Sequence, residues 1–331
     1  MHKIIQQMMS GAIDFAGLFP PAELGMDSAI TQYANYRTLD DAWMLGRFIC
    51  PASRLRELDA YKNSLFETEE PFRFSVLGSS GKDAKLFAAR LAKDVADINT
   101  FLAFHENRVA VEVYETRLPD ALIAKPDVAT LQSLIEENAL ALAKISHSAV
   151  IPFYEITLTS NWREALSTTI RAITAFNLSL KDSDGDAPIA QRAGFKIRCG
   201  GVEPQMYPDA EQIATVINTC LRFNVPLKAT AGLHHPVRHF NAAAGVKMHG
   251  FLNVIGAMVL ADVHGLDTGE IEEIIADEDA GNFIFTRRAF AWQGMRASES
   301  DIRKNRENGF TSFGSCSFDE PREDLAALNL L

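Results

Sequence analysis

Residues 194–230 read GFKIRCGGVEPQMYPDAEQIATVINTCLRFNVPLKAT, in which a helical pattern separates two short β-rich runs. The β-rich runs are residues 194–199 and 225–230, and between them apolar residues return every three or four positions over residues 209–223. That spacing indicates an amphipathic helix. Strand, helix and strand in this order are typical of a βαβ unit, in which a crossover helix joins two parallel strands.

The same alternation continues along the whole chain. Helical patterns at residues 83–102, 128–146 and 162–177 stand between further β-rich runs, which are residues 13–19, 43–49, 72–77, 109–115, 150–156 and 311–318. Eight β/α units predict an α/β fold, a (β/α)8 barrel of the TIM type. A doubly wound open sheet has the same local patterns, but no GxGxxG sequence follows the first run, so the barrel is favoured.

One long segment departs from the alternation. Residues 236–309 contain helical patterns at 246–263, 268–275 and 298–308 and no clear strand. Because this is longer than an ordinary barrel connection, we expect a helical insertion that could act as a lid. Residues 1–235 would then form the first seven β/α units, and residues 310–331 would supply the last strand and a C-terminal helix of the same barrel.

Composition limits the classes of function. The chain has 331 residues, of which 47% are hydrophobic, and a formal net charge of -11. A large buried core is therefore expected, whereas a general nucleic-acid or membrane surface is not. The four cysteines form no CxxC pair and no export signal opens the chain, which predicts free thiols and a soluble cytoplasmic protein. A homo-oligomer is compatible with these features.

Two short motifs resemble cofactor-binding or metal-binding loops but lack residues or spacings that those loops require. Residues 78–82, GSSGK, resemble a phosphate loop, but the first glycine is too close to the second, and Asp83 replaces the expected hydroxyl residue. Residues 181–186, KDSDGD, have spacing that suggests calcium, yet they lack the later glutamate of an EF-hand loop, which favours a solvated loop. We therefore expect no cofactor.

The βαβ unit quoted above contains the most informative polar residues. Period-2 alternation places Lys196 and Arg198 on one face of the first strand, and Lys228 and Thr230 on one face of the second. Barrel enzymes gather their reactive groups at the C-terminal ends of strands. Because buried cations are costly unless they meet anions, these residues predict a small anionic metabolite as partner. The alternative is that internal glutamates pair with the cations.

Three further residues could bind the same anion. Gly200 and Gly201 follow the strand that contains Lys196, and they would let backbone N–H groups approach a ligand closely. Arg47, which we place at the end of the second strand, could add a bidentate contact. A surface arginine without a function is the alternative for Arg47.

Carboxylates and histidines supply candidate acids and bases. Glu115 and Glu155 end consecutive β-rich runs and could act as a general base, as counter-ions for the lysines or as metal ligands. His234 and His235 follow the run at 225–230, where an imidazole could bind substrate or carry protons near neutral pH. Buried ion pairs and hydrogen-bonded loop histidines are the alternatives.

Two other pairs of residues have less specific patterns. Cys199 and Cys316 lack a recognisable histidine-paired context, so we interpret both as packing thiols. His249 and Asn253 are four residues apart on one helical face of the 236–309 segment. They would either close over the site or cap the core.

Adjacent strands that each supply a lysine suggest covalent catalysis. One ammonium disfavours protonation of the other, which lowers its pKa and leaves a neutral amine able to attack a carbonyl. That is the requirement for Schiff-base chemistry.

Several of these motifs resemble those of known proteins. KIRCGG at 196–201, KATAGLHHP at 228–236 and HGFLN at 249–253 together resemble an uncharacterised bacterial family. More locally, residues 195–232 are similar to deoxyribose-phosphate aldolase, a class I aldolase on a (β/α)8 barrel. That resemblance implies that Lys196 is the Schiff-base lysine and Lys228 the neighbour that lowers its pKa. Arg198 and Cys199 stand where that family has small hydroxyl residues.

The leading hypothesis is an aldolase-like lyase acting on a small phosphorylated or carboxylated carbonyl compound. Lys196 would be the nucleophile, supported by Lys228, with Glu115 or Glu155 as base and Arg198 binding the anion.

Two alternatives remain open. In one, a divalent metal bound by Glu115 and Glu155, to which Asp14 or His235 could add a ligand, stabilises an enolate in a lyase or isomerase, and Lys196 or Lys228 is the proton-transfer base. In the other, the barrel binds a metabolite without catalysis.

Overall fold

The computed structural model describes residues 3–146, 149–158, 160–180 and 192–331. Its main element is a closed barrel of eight strands, which are β1 (Ile13–Phe15), β2 (Leu45–Pro51), β3 (Phe72–Leu77), β4 (Val109–Arg117), β5 (Ile151–Glu155), β6 (Gly194–Arg198), β7 (Leu227–Thr230) and β13 (Phe310–Ser315). Their order around the barrel is β1, β13, β7, β6, β5, β4, β3, β2. Each of the eight predicted runs overlaps one of them, and the predicted (β/α)8 fold is confirmed.

The α-helices precede β1 and follow β1, β3, β4, β5 and β6, whereas a 3-10 helix (Ala52–Tyr61) follows β2. These α-helices are α1 (Lys3–Met9), α2 (Met26–Tyr36), α3 (Ala84–His105), α4 (Asp120–Ile123), α5 (Val128–Leu142), α6 (Trp162–Ser179) and α7 (Ala210–Arg222). Asp83, Asp127 and Asp209 begin α3, α5 and α7, where each carboxylate accepts a backbone N–H from the first turn. The helical patterns predicted α3, α5, α6 and α7 but missed α2.

The segment 236–309 contains strands as well as helices. Its elements are β8 (His239–Asn241), β9 (Val246–Met248), α8 (Phe251–His264), α9 (Thr268–Ala276), β10 (Phe283–Phe285), β11 (Ala289–Trp292), β12 (Met295–Ser298) and α10 (Glu299–Asn308). Strands β8 and β9 form an antiparallel hairpin, and β10, β11 and β12 form a small antiparallel sheet.

The expectation that this segment has no strand is wrong. Gln293 and Gly294, between β11 and β12, both have positive φ, of 42° and 87°. Positive φ at both central residues is typical of a two-residue hairpin turn of the primed type. This glutamine–glycine pair was the sequence signal for the hairpin.

Helix α8 is buried along most of its length. All residues from 251 to 261 are buried, and α8 contacts α7, α9, α10 and β13. The ring of Phe251 stacks on that of Phe313 in β13, with 5.2 Å between centroids. The longest apolar stretch of the sequence is therefore a core helix. In the part of the chain that the structure describes, no helix is both long and apolar enough to span a bilayer.

The chain groups into two compact units. Unit 1 comprises Met1–Gly25, Gln32–Gly46 and Ile197–Leu331, and unit 2 comprises Met26–Thr31 and Arg47–Lys196. Strands β1, β7 and β13 belong to unit 1, together with the C-terminal helix α11 (Asp319–Ala327). Strands β3, β4 and β5 belong to unit 2.

Candidate active site

Four polar side chains from four neighbouring strands meet within unit 2. They are Ser75 of β3, Glu115 of β4, Glu155 of β5 and Lys196 of β6, and we call them the carboxylate–lysine cluster. Lys196 Nζ lies 3.0 Å from Glu115 Oε2 and 2.8 Å from Glu155 Oε2. The Ser75 hydroxyl donates to Glu115 Oε1. None of the four residues is more than 6% exposed, so the cluster is desolvated.

The alternation of side chains along the strands explains this arrangement. Tyr114 and Tyr154 each precede a cluster glutamate and face the surrounding helices: the Tyr114 hydroxyl donates to Asp94 of α3 at 2.9 Å, and the Tyr154 hydroxyl to Asn138 of α5 at 2.9 Å. Because successive side chains on a strand point to opposite faces, the glutamates that follow lie on the face away from those helices.

The charges in the cluster keep Lys196 protonated. Burial alone lowers the pKa of Lys196, but the nearby carboxylates of Glu155 and Glu115 outweigh this effect and raise the pKa above its usual value. The sequence-based expectation of a lowered pKa for Lys196 is therefore wrong. The expectation considered only a neighbouring cation, whereas two carboxylates contact the ammonium directly.

Lys228 has a separate set of partners within unit 1. Its ammonium contacts Asp14 Oδ2 and donates to Ser312 Oγ at 2.9 Å. The Ser312 hydroxyl in turn donates to Asp14 Oδ2 at 2.8 Å. These three residues lie on β7, β1 and β13 and are almost completely buried. Each lysine therefore has an internal carboxylate partner.

The other residues predicted near the strand ends differ in exposure. Arg198 is the last residue of β6 and is exposed, and it has no hydrogen-bond or ion-pair partner among the described residues. Thr230, the last residue of β7, is half-buried, and its carbonyl accepts the backbone N–H of Cys199 at 2.8 Å.

The glycines that follow β6 are required by close packing. A Cβ atom on Gly200 would lie 2.8 Å from Gly232 Cα, and one on Gly201 would lie 2.5 Å from Met206 Cβ. Gly200 therefore lets the chain after β6 approach the chain after β7. Ligand binding by Gly200 and Gly201 stays a prediction.

Arg47 does not lie at the end of its strand. It is the third residue of β2, which continues to Pro51, so the expected strand-end position is wrong. Its Nε donates to Glu112 Oε2 at 2.8 Å, near the start of β4. The apolar run that continues to Cys50 extends the strand beyond the predicted end. Anion binding by Arg47 stays a prediction.

His234 lies in a second polar cluster, within unit 1. Its Nδ1 is 3.2 Å from Glu320 Oε2, 3.5 Å from Ser315 Oγ and 3.8 Å from Cys316 Sγ. We call these residues the His234 cluster. The interpretation of Cys316 as a thiol without a histidine partner is wrong, because the pairing of β7 with β13 brings together residues that are 82 positions apart.

Two other histidines hold loops in place. His235 Nδ1 lies 2.6 Å from Asp324 Oδ2 of α11, and its ring packs edge-on against His239. His249 Nε2 donates to the Pro208 carbonyl at 2.7 Å. Burial lowers the pKa of His249 to about 4, so its ring is neutral at physiological pH.

The His249–Asn253 pair stabilises buried chain. His249 Nδ1 accepts from Arg238 at 2.8 Å, and the Asn253 amide donates to the carbonyls of Ile274 and Asp277, each at 2.8 Å. These contacts favour the alternative in which the pair caps the core.

The two weak cofactor motifs gain no support. The backbone N–H of Ser79, within GSSGK, donates to Asp94 Oδ2 at 2.8 Å, so an internal carboxylate occupies this donor. Residues 181–186 lie outside the described residues. Over the ranges that the structure covers, no group of three or more His, Cys, Asp or Glu side chains is arranged to hold a metal ion.

Comparison with known proteins gives no family for this chain. No protein-family model matches the sequence, and no curated protein is significantly similar to it. Because barrels of this fold perform many unrelated reactions, the fold is consistent with an enzyme but does not specify a reaction. The side chains of the carboxylate–lysine cluster are the chemical groups that bear on function.

Proposed function

We propose that this barrel is an aldolase-type lyase that forms a Schiff base between Lys196 and a small carbonyl compound with an anionic group. The observation that carries the proposal is the Lys196 ammonium, buried between the carboxylates of Glu115 and Glu155. Glu155 is the last residue of β5, and Glu115 lies near the end of β4. Barrel enzymes place their catalytic groups at this end of the strands.

The two carboxylates account for the proton transfers of imine formation. Glu155, 2.8 Å from Lys196 Nζ, accepts a proton from the ammonium when a carbonyl compound binds. The neutral amine then attacks the carbonyl carbon, and the carbinolamine loses its hydroxyl group as water after receiving a proton from Glu155. The product is an iminium ion with its positive charge on the same nitrogen.

The same charges suit the bond-breaking step. The iminium has the single positive charge of the ammonium that it replaces, so the two carboxylates stabilise it without rearrangement. When the carbon–carbon bond breaks, the hydroxyl group of the departing fragment gives its proton to Glu155 and this fragment leaves as a carbonyl compound. The electron pair of the broken bond forms the C=C bond of a neutral enamine, and the π electrons of the iminium move to its nitrogen. Protonation of the enamine carbon and hydrolysis by water release the product and restore the amine.

Other residues have supporting parts in this proposal. Ser75 donates to Glu115 Oε1, so it orients the carboxylate whose other oxygen binds Lys196. Arg198, two residues further along β6, offers an exposed guanidinium to the anionic group of the substrate. Lys228 is not needed to lower the pKa of Lys196, because its own ammonium is paired with Asp14.

Trapping of the imine tests the proposal. The purified protein is incubated with small aldehydes and keto acids, some of them phosphorylated, and then with borohydride, and peptide mass spectrometry locates the adduct. We expect a reduced adduct on Lys196 that is absent from Lys196→Arg and unchanged in Lys125→Arg, a control at an exposed lysine. Circular dichroism checks that both variants are folded.

Two outcomes would contradict the proposal. An adduct on Lys228 would assign the chemistry to the other buried lysine. The absence of any adduct with every carbonyl compound would favour the metal-dependent or non-catalytic alternative.

A further inference from the structure

Cys316 differs from the other three cysteines in its surroundings. It follows β13 directly, and its Sγ lies 3.8 Å from Nδ1 of His234. Cys316 is 8% exposed, whereas Cys50, Cys199 and Cys220 are 0% exposed. Burial raises the thiol pKa of Cys199 to about 12 and also raises the pKa values of Cys50 and Cys220. Those three thiols are therefore unreactive near neutral pH.

His234 is a charged neighbour of Cys316. Burial alone lowers the pKa of His234, but its hydrogen bonds to Cys316 and Glu320 raise it to about 9. The ring is therefore an imidazolium at neutral pH, and the same contact lowers the pKa of Glu320. The groups that titrate around Cys316 are His234 in the loop after β7 and Glu320 on α11, with His235 acting on Glu320. An adjacent imidazolium favours the thiolate form of a cysteine.

We propose that Cys316 is a site of reversible oxidation by hydrogen peroxide, with His234 as the proton donor. The proposal rests on the contact between the thiol and the imidazole and on the position of Cys316 at the end of a barrel strand. It is independent of the proposed function, because the His234 cluster lies in unit 1 and the carboxylate–lysine cluster lies in unit 2.

The reaction balances with these two residues and the oxidant. The Cys316 thiolate attacks one oxygen of the peroxide, so that an S–O bond forms and the O–O bond breaks. The sulfur loses two electrons to the peroxide and becomes a sulfenic acid. The second oxygen leaves as hydroxide and takes the Nδ1 proton of His234, which gives water and a neutral imidazole.

The burial of Cys316 limits the size of the oxidant that can reach its thiol. Cys316 is a buried residue with 8% of its surface exposed, so the proposal requires an oxidant as small as hydrogen peroxide. We therefore expect a bulky alkyl hydroperoxide to oxidise Cys316 at least tenfold more slowly than hydrogen peroxide, when each rate is normalised to that of a free thiol. Equal normalised rates would contradict this part of the proposal.

Sulfenic-acid trapping tests the site. The full-length protein is treated with hydrogen peroxide and dimedone at pH 7, and peptide mass spectrometry measures the label on every cysteine. We expect labelling of Cys316, with Cys50, Cys199 and Cys220 as internal controls that stay unlabelled. A thiol reductant added before dimedone should remove the signal. Equal labelling of all cysteines, or no label on Cys316, would overturn the proposal.

A variant and a pH profile test the part played by His234. In His234→Gln the proton donor for the leaving hydroxide is lost, so we expect an oxidation rate about threefold to tenfold lower at pH 7. An unchanged rate would overturn the proposal.

The pH dependence of the same two rates is a second test. As pH rises from 7 to 10, His234, whose pKa is raised to about 9, loses the proton that it donates, so the ratio of the wild-type rate to the His234→Gln rate should fall towards one. A ratio that does not change over this range would also overturn the proposal.

Discussion

Glu155 and Lys196 are partners in the parallel register of β5 and β6, and the charged atoms of their side chains lie 2.8 Å apart. Paired residues of adjacent strands project to the same face, so this register fixes the contact between carboxylate and ammonium. The contact is therefore a property of the barrel wall rather than of a loop. A base positioned in this way needs no movement of the backbone to take the lysine proton.

Removal of the Glu155 charge tests its part as a base. In Glu155→Gln we expect the rate of imine formation at Lys196 to fall by about 100-fold or more, because general acid–base catalysis typically contributes that much. The rate is measured by borohydride trapping over time. Glu137→Gln, at an exposed position on α5, is the matched control and should keep the wild-type rate. A similar loss in both variants would show that the effect is not specific.

Removal of the lysine charge should destabilise the fold in a pH-dependent way. In Lys196→Met the buried carboxylates of Glu115 and Glu155 lose their counter-ion, and we expect a loss of about 3–5 kcal/mol at pH 7. The folded variant then binds a proton that the unfolded chain releases, so its stability falls as pH rises and recovers towards pH 4 to 5.

Urea unfolding at several pH values measures this change. The double variant Lys196→Met/Glu115→Gln should recover much of the stability at pH 7, because it contains one buried carboxylate instead of two. A deficit of equal size at pH 5 and pH 7 would show that lost packing, and not charge, causes the effect.

The sequence predicted those features that depend on local periodicity. Alternation within the β-rich runs located the barrel strands, and it placed Glu115 and Glu155 at the ends of consecutive strands. Residues at the ends of neighbouring parallel strands lie close to one another. For this reason Glu115 and Glu155 were predicted as counter-ions for a lysine. The direct contacts of these carboxylates with Lys196 are confirmed.

Contacts between distant parts of the chain could not be predicted in the same way. The Lys228–Asp14 pair joins residues 214 positions apart, and it depends on β13 lying between β7 and β1. The contact between Cys316 and His234 likewise depends on which strands are neighbours. The predicted barrel implies this strand order, but periodicity within a strand does not set its register against the next strand, so neither side-chain contact could be predicted from the sequence.

The close approach of Gly200 to Gly232 predicts the cost of a single methyl group. In Gly200→Ala the new Cβ would lie 2.8 Å from Gly232 Cα, which is backbone and cannot rotate away. We expect a loss of about 1–3 kcal/mol in the free energy of unfolding. Gly25→Ala is the control, because a Cβ atom at this position has no other atom within 4 Å. Its free energy of unfolding should change by only a few tenths of the loss expected for Gly200→Ala. Equal effects of the two substitutions would contradict the close packing.

The pH dependence of stability tests the charge on His234. Its pKa in the folded protein is raised to about 9 from an ordinary value of 6.5. A group whose folded-state pKa is raised contributes stability that is fully present below its unfolded pKa and is lost as pH rises through the folded pKa. The wild-type protein should therefore lose up to about 3 kcal/mol between pH 6.5 and pH 9.5 through this residue.

Urea unfolding of the wild type and of His234→Gln over that pH range measures the contribution. The difference in the free energy of unfolding between the two proteins should be largest near pH 6 and should shrink above pH 9. The ion pair between His234 and Glu320 disappears when the imidazole loses its proton, which gives the trend its sign. A difference that stays constant from pH 6 to pH 10 would mean that His234 is not protonated in the folded protein at neutral pH.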